Sequence, residues 1–293
     1  MPSEWSNIVV GTVTLAAIYA LVASGFIILF RATKVLSFAQ GAYMLIGASV
    51  FYSMITAWHL PLYPAIIISI IIAGVLGWLT YQLVFSRMVG VPPFIVAIAT
   101  IGLSTTFQGI GYLIWGANPL LLPLVFPYEP KQLFGTFFYN DIDEFIVFLA
   151  IILCVAVALI IRYTRLGIQM RAVADGPALA AYSGIHVTRI SAMAWGMGAA
   201  LAGAGGIAYA VSNGLDPVQL PAVGLAVFPV IILGGLDSYA GAFIGAVVVA
   251  LLQTLIGITV GGQWQAVIAY TVLLFVLLVR PRGLFGSRDV VRI

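Results

Sequence analysis

A succession of apolar runs, each near the length of a bilayer crossing, most constrains what this chain can become. The runs fall near residues 8–30, 37–57, 62–85, 93–115, 144–161, 190–211, 219–234, 238–260 and 264–279. A helix needs about 20 apolar residues to cross the hydrocarbon layer. Too little polar surface remains for a soluble protein. Only 7% of the 293 residues are charged and the mean hydropathy is +1.17, whereas soluble domains carry roughly 25% charged residues. Lipid offers no water to unpaired backbone groups, so such runs fold as helices. The expected fold is all-α, a polytopic transmembrane bundle of about eight to nine spans forming one membrane domain over 1–293. The first run does not read as a cleavable leader, because it is too long and only Glu4 is charged ahead of it.

The basic residues orient the bundle. Arg31 and Lys34 follow the first run and Arg87 the third. Arg162, Arg165, Arg171 and Arg189 lie between the fifth and sixth, and Arg280, Arg282, Arg288 and Arg292 follow the last. With the amino terminus outside, every one of the 12 basic residues except Lys131 falls on the cytoplasmic side. Lys131 sits in the outer loop 116–143 beside Glu129, Asp141 and Asp143, with Glu144 just beyond. That arrangement needs an odd number of crossings, so the weak run 219–234 counts as one.

The weak run reads "QLPAVGLAVFPVIILGG". Pro221 and Pro229 each free a carbonyl and kink a helix. An interrupted span is tolerated where protein or a water-filled cavity covers it, and such spans mark transport paths. A kinked packing helix is the competing reading. "GMGAALAGAGGIAYA" (196–210) spaces small residues for close helix packing. Ser37-Phe-Ala-Gln-Gly-Ala and Ser238-Tyr-Ala-Gly-Ala echo each other at the starts of two spans, either as an internal repeat or by chance in a Gly/Ala-rich chain.

Catalytic signatures are missing. The sequence has no GxxxxGK[ST] loop, no GxSxG elbow and no Cys/His cluster. Cys154 lies alone in an apolar run, and His59 and His186 are far apart. Neither an enzyme, a metal site, a cofactor nor nucleic-acid binding is expected. The nine acidic residues sit in loops or at span ends, so nothing resembles the intramembrane carboxylates of proton-coupled carriers. Uphill transport would need energy from another subunit. Uncharged polar residues do cluster within spans. In "ATIGLSTTFQGIGY", Ser104 and Gln108 are four apart and share a helix face. Gln40 and Tyr43 lie in the second run, and Gln253 with Thr254 in the eighth. Gln40, Ser104, Gln108 and the Pro229 kink are the candidate translocation path. Interhelical hydrogen bonding is the other reading.

A polar island, "RLGIQMRAVADGPALAAYSGIHVTR" (165–189), interrupts this apolar chain inside the cytoplasmic loop 162–189. "LGIQMRAVA" reads as an extension of the fifth helix. Asp175-Gly176-Pro177 breaks and restarts it, with Asp near the N-cap and Pro at the first position. Gly184 stops it. The short helix so defined is almost uncharged and offers Ala178, Leu179, Ala181 and Tyr182 for contact. It suits a partner groove, or a connector lying on the bilayer.

The island and the span after it closely resemble permease subunits of branched-chain amino acid importers of the ATP-binding-cassette (ABC) class. "LAAIYALVASGFIILFRATKVLSFAQGAYMLIGA", "ATIGLS", "VFPVIILGGLDSYAGAFIGA" and "RPRGLFG" extend the resemblance over most of the chain, whose length is similar to the shorter of the two permeases. The resemblance implies a second permease subunit, two cytoplasmic ATP-binding subunits, and a periplasmic or lipid-anchored binding protein at the inner membrane. It also implies that the island is a coupling helix docked on an ATPase, through Asp175, Pro177, Ala180, Ala181, Tyr182 and Gly184. Two positions depart from the family pattern. Phe38-Ala39-Gln40-Gly41-Ala42 stands where many relatives read Phe-Ala-His-Gly-Glu, and the Glu-Ala-Ala loop motif of other ABC permeases is absent. The expected solute is a branched-chain amino acid or a related small polar molecule, urea and amides included. A passive channel for such a solute is the alternative, and a channel has no use for the island.

Overall fold

The structure is a computed structural model that describes residues 2–123, 126, 130–133, 137–280 and 283–285. Glu129, Arg282, Arg288, Asp289 and Arg292 lie outside the described residues. Twelve helices are described: α1 (Pro2–Thr33), α2 (Gln40–Thr56), α3 (Leu62–Leu83), α4 (Pro93–Trp115), α5 (Asp141–Tyr163), α6 (Arg165–Asp175), α7 (Pro177–Tyr182), α8 (Val187–Asn213), α9 (Gln219–Leu225), α10 (Val227–Gly234), α11 (Tyr239–Thr259) and α12 (Gln265–Val279). The chain is an all-α polytopic bundle. Seven helices are long and apolar enough to cross a membrane: α1, α3, α4, α5, α8, α11, and α12 with the 3-10 turn that leads into it. The 17-residue α2 and the segment Gln219–Gly234 are the shorter apolar elements.

The bundle is built around α8, which packs against α1, α2 and α3. No hydrophobic drive joins helices in lipid, so close van der Waals fit must do so. The glycines supply that fit. A Cβ on Gly47 would strike the backbone of Gly203, and one on Gly206 would strike the Met44 carbonyl. A Cβ on Gly25 would lie 3.3 Å from the Gly198 Cα and would press on its carbonyl oxygen. At these crossings backbone meets backbone. Most of α1 and α8 is buried inside the bundle, whereas α12 is almost wholly exposed on its outside.

The segment 219–234 breaks into two helices at Ala226. Pro229 has no N–H for the Leu225 carbonyl and its ring crowds that carbonyl. The Ala226 N–H is shared between the Ala222 and Val223 carbonyls at 3.0 and 3.1 Å, a tightened last turn for α9. The end of α10 is tied by the tail of the chain. The N–H groups of Leu284 and Phe285 donate to the carbonyls of Leu233 and Gly234, at 2.8 and 3.1 Å.

Two findings depart from the expected helical pattern. A short antiparallel hairpin, β1 (Lys131–Leu133) with β2 (Phe137–Tyr139), folds within the loop after α4. Ser6 holds it to α1, its Oγ accepting from the Phe138 N–H at 2.6 Å. Lys131 bridges Asp141, and also Glu144 at 3.1 Å. These carboxylates, Asp141 first, hold the Lys131 ammonium above the ordinary lysine range. The second departure is that α6 does not continue α5. Thr164 between them is extended (φ −102°, ψ 161°), and its Oγ1 caps α6 by accepting from the Gly167 N–H at 3.4 Å. A Cβ at Gly167 would strike Ile161, so α6 can fold back on the end of α5 only with glycine there. Arg171 locks the turn, donating from Nη1 to the Ile161 carbonyl at 2.7 Å.

The two ends of the bundle differ in charge. Arg31 and Arg171 line one small crevice, and Lys34 lies close by at the end of α1. Lys131 lies at the opposite end of α1, where the hairpin meets Ser6.

Candidate translocation path and coupling loop

Gln40 opens α2 and is 2% exposed. Neither its amide nitrogen nor its amide oxygen finds a hydrogen-bond partner among the described residues. It lies near Gly198, where an added methyl would sit 3.6 Å from the amide nitrogen. A buried amide left unpaired costs about 1–3 kcal/mol, which makes Gln40 an exception within this tightly packed centre.

Ser104 and Gln108 do share a face of α4. The Gln108 amide nitrogen donates to the Ser104 Oγ at 3.1 Å. Thr100, one turn earlier, accepts from the Phe38 N–H at 3.0 Å, and Phe107 packs on Tyr43 with ring centroids 5.8 Å apart. This face of α4 therefore lies against α2 and its lead-in. Thr105 and Thr106 are exposed, bonding back to the carbonyls of Ile101 and Gly102 at 3.1 and 2.9 Å. Gly102 and Gly109 have nothing within 4 Å of where a Cβ would stand. The polar cluster read from the sequence is thus divided between an inner and an outer face.

Pro229 is buried in α10. Its neighbour Phe228 stacks on Phe38 at 4.7 Å and meets Phe26 edge-on at 5.3 Å. A Cβ at Gly224 would strike Gly41. The start of α2, the Thr100 face of α4 and the broken segment therefore converge. Gln253 stands apart from them. It accepts from the Tyr19 hydroxyl at 2.6 Å and donates to the Gln265 carbonyl at 3.1 Å, so its amide is used in packing α1, α11 and α12.

In the loop, Pro177 takes the first position of α7 and Gly176, in extended conformation, is the N-cap. Asp175 ends α6 and makes no cap. Gly184 adopts φ +80°, a conformation open to glycine. Its N–H donates to the Ala181 carbonyl at 3.0 Å, and the Ile185 N–H to that of Ala180 at 3.0 Å. This pair of bonds closes the helix in a Schellman motif. Ala180 is 4% exposed and packs in a cluster with Met170, Val173 and Ile190. It faces inward, so direct docking falls to its neighbours. Leu179 is 74% and Tyr182 90% exposed, and Ala178 and Ala181 are exposed as well. The inward turn of Ala180 and the Thr164 cap were missed from the sequence. The Thr-x-x-Gly spacing was the available signal for the cap.

Residues 8–277 match the family model described as branched-chain amino acid transport system / permease component. The chain belongs to this family. LivH of Salmonella typhimurium, named a high-affinity branched-chain amino acid transport system permease protein, is 27% identical over 304 residues, covering 96% of this chain and 95% of its own. BraD of Pseudomonas aeruginosa, named in the same way, is 26% identical over 298 residues, covering 97% and 96%. A protein of Methanocaldococcus jannaschii, named a probable branched-chain amino acid transport permease protein LivH, is 25% identical over 294 residues, covering 94% and 91%. The family is one of transport permeases, and the apolar helices of this member make it a multi-pass membrane protein.

Proposed function

We propose that this chain is a permease subunit of an ABC importer that carries branched-chain amino acids or a related small polar solute across the inner membrane. The observation that carries the reading is α7. It is clamped from within by Ala180, yet it holds Leu179 and Tyr182 out from the bundle at the end rich in arginine. A permease without an energy source of its own needs such a projection. Two cytoplasmic ATP-binding subunits would take α7 in a groove, with Ala178, Leu179, Ala181 and Tyr182 as contacts. Asp175, Pro177 and Gly184 shape the helix ends, and Ala180 anchors it. A second permease subunit and a periplasmic or lipid-anchored binding protein complete the assembly.

The chain crosses the membrane nine times in this reading, with α9 and α10 as one broken crossing, the amino terminus outside and the carboxyl end cytoplasmic. Gln40, Ser104, Gln108 and Pro229 border the path. The unpaired Gln40 amide supports this, because a residue that lacks a partner in the closed bundle has hydrogen bonds to offer a passing solute. The outer face of α4 supports a neighbour. Gly102, Thr105, Thr106 and Gly109 make it much less apolar than the equally exposed α5, so α4 is suited to the second permease and not to lipid.

Cysteine labelling tests the orientation. A cysteine at Ser3 should react with an impermeant reagent in intact cells, and one at Ser287 should not. Reaction at Ser287 in intact cells would remove the nine-crossing scheme. Copurification with ATP-binding subunits separates an importer from a passive channel. Uptake that persists without ATP or such subunits would favour the channel.

A further inference from the structure

A cavity lies where the loop helices meet the ends of α1, α3, α4 and α8. It is open on one side and offers about 220 Å³, room enough for an apolar chain, since a sealed apolar cavity of about 150 Å³ takes up benzene. One wall is aromatic. Trp195 stacks on Phe85 with centroids 4.3 Å apart and meets Tyr81 at 5.9 Å. Trp195 is fully buried, and its indole N–H finds no acceptor among the described residues. The opposite wall is the loop itself, through Val173 at the end of α6 and Pro177 at the start of α7. Lys34 stands at the rim, exposed, with a φ of +55° that a lysine rarely adopts. Its only charge-related contact among the described residues is the Phe30 ring, 5.7 Å away. Strained backbone of this kind is often kept at functional positions.

We infer that this cavity binds an amphipathic anion, with its acidic head beside Lys34 and its apolar chain against the Trp195 wall. Two observations converge on that chemistry: an apolar, aromatic-lined space and one cation at its mouth. The ligand would come either from solution as a carboxylate or from the adjoining leaflet as an anionic phospholipid. Because α6 and α7 form one wall and the transmembrane helices the other, an occupant sets the spacing between the loop and the bundle. That regulatory consequence rests on the coupling reading of α7; the binding itself does not.

The test uses the assembled complex in nanodiscs of phosphatidylcholine and reads tryptophan quenching by brominated chains. One arm adds bromododecanoate and the other incorporates phosphatidylglycerol with brominated chains; discs of brominated phosphatidylcholine give the background. Saturable quenching above that background is expected in at least one arm, and the arm that shows it identifies the source. Trp195→Phe, which keeps the aromatic stack, should abolish the saturable component. Lys34→Gln should weaken it at least fivefold, and Val91→Phe, which fills the cavity, should remove it. Quenching that never saturates, or that survives both Lys34→Gln and Val91→Phe unchanged, would overturn the site. Substrate-stimulated ATPase activity is recorded on the same discs. If stimulation is present and quenching absent, the cavity proposal fails alone. If stimulation is absent from the unaltered complex, the coupling reading fails, while quenching still judges the cavity.

Discussion

The seam between α2 and α8 and the loop helix α7 are both rich in small residues, yet they use them in opposite ways. Along the seam, Gly47 and Gly206 are covered so closely by the backbone of Gly203 and Met44 that no side-chain atom fits between, and Gly203 is hemmed in by the Ala73 side chain. On α7, Ala178 and Ala181 are left exposed beside Leu179 and Tyr182. In lipid, small residues lead helices to approach one another. Where the chain itself completes the approach, the result is a rigid centre. Where it does not, the surface is left for another molecule.

The largest effect should come from breaking the seam. Gly206→Leu would drive a side chain into the Met44 backbone, and overpacking of even adaptable cores costs about 1–3 kcal/mol. Little monodisperse protein should survive detergent extraction. Gly102→Leu, which has open space around it, should extract normally. Equal loss in both variants would erase the distinction between covered and uncovered glycines.

A smaller loss, confined to assembly, is expected at α7. Leu179→Asp with Tyr182→Asp should leave the permease folded, with unchanged melting temperature, but should release the ATP-binding subunits during purification. Retention of those subunits would show that the exposed face is not the dock. Next in size, Ser104→Leu and Gln108→Leu should lower uptake several-fold at normal expression, because each removes half of the pair along the α2 face. Unchanged uptake in both would return them to a packing role. The smallest effect belongs to Lys131→Ala in the hairpin between α4 and α5. The ammonium is well exposed and its pairing with Asp141 and Glu144 is screened by water, so neither melting temperature nor uptake should change measurably.

Much of this contrast was legible in the sequence. Hydropathy placed α4 at 93–115 and the broken segment at 219–234, the bounds the structure has. The structure divides that segment into α9 and α10 at Ala226, three residues ahead of Pro229, whose ring leaves the Leu225 carbonyl without its helical donor. Gly184 stopped α7 as its type requires. Other features depend on contacts that no periodicity reports. The fold-back at Thr164 follows from a cap and from the contact of Gly167 with Ile161, which is tertiary. Ala180 and Ala181 look alike in sequence, and only the packing of α7 on Met170, Val173 and Ile190 turns one in and the other out. The hairpin in the loop after α4 is too short to announce itself among turns. The polar run of α4 read as one cluster because its two faces are distinguished only by what α2 covers.

The central claim is that α7 transmits ATP hydrolysis to the bundle, and the most direct test is substrate-stimulated ATPase activity of the reconstituted complex carrying Ala181→Trp. Ala181 is small, exposed and flanked by the two projecting side chains, so bulk there should spoil a close fit without disturbing the fold. Stimulation should be lost, or the ATP-binding subunits should fail to assemble, while Ala181→Ser stays near the unaltered level. Full stimulation and full assembly with tryptophan at this position would contradict the account and bring the passive channel forward.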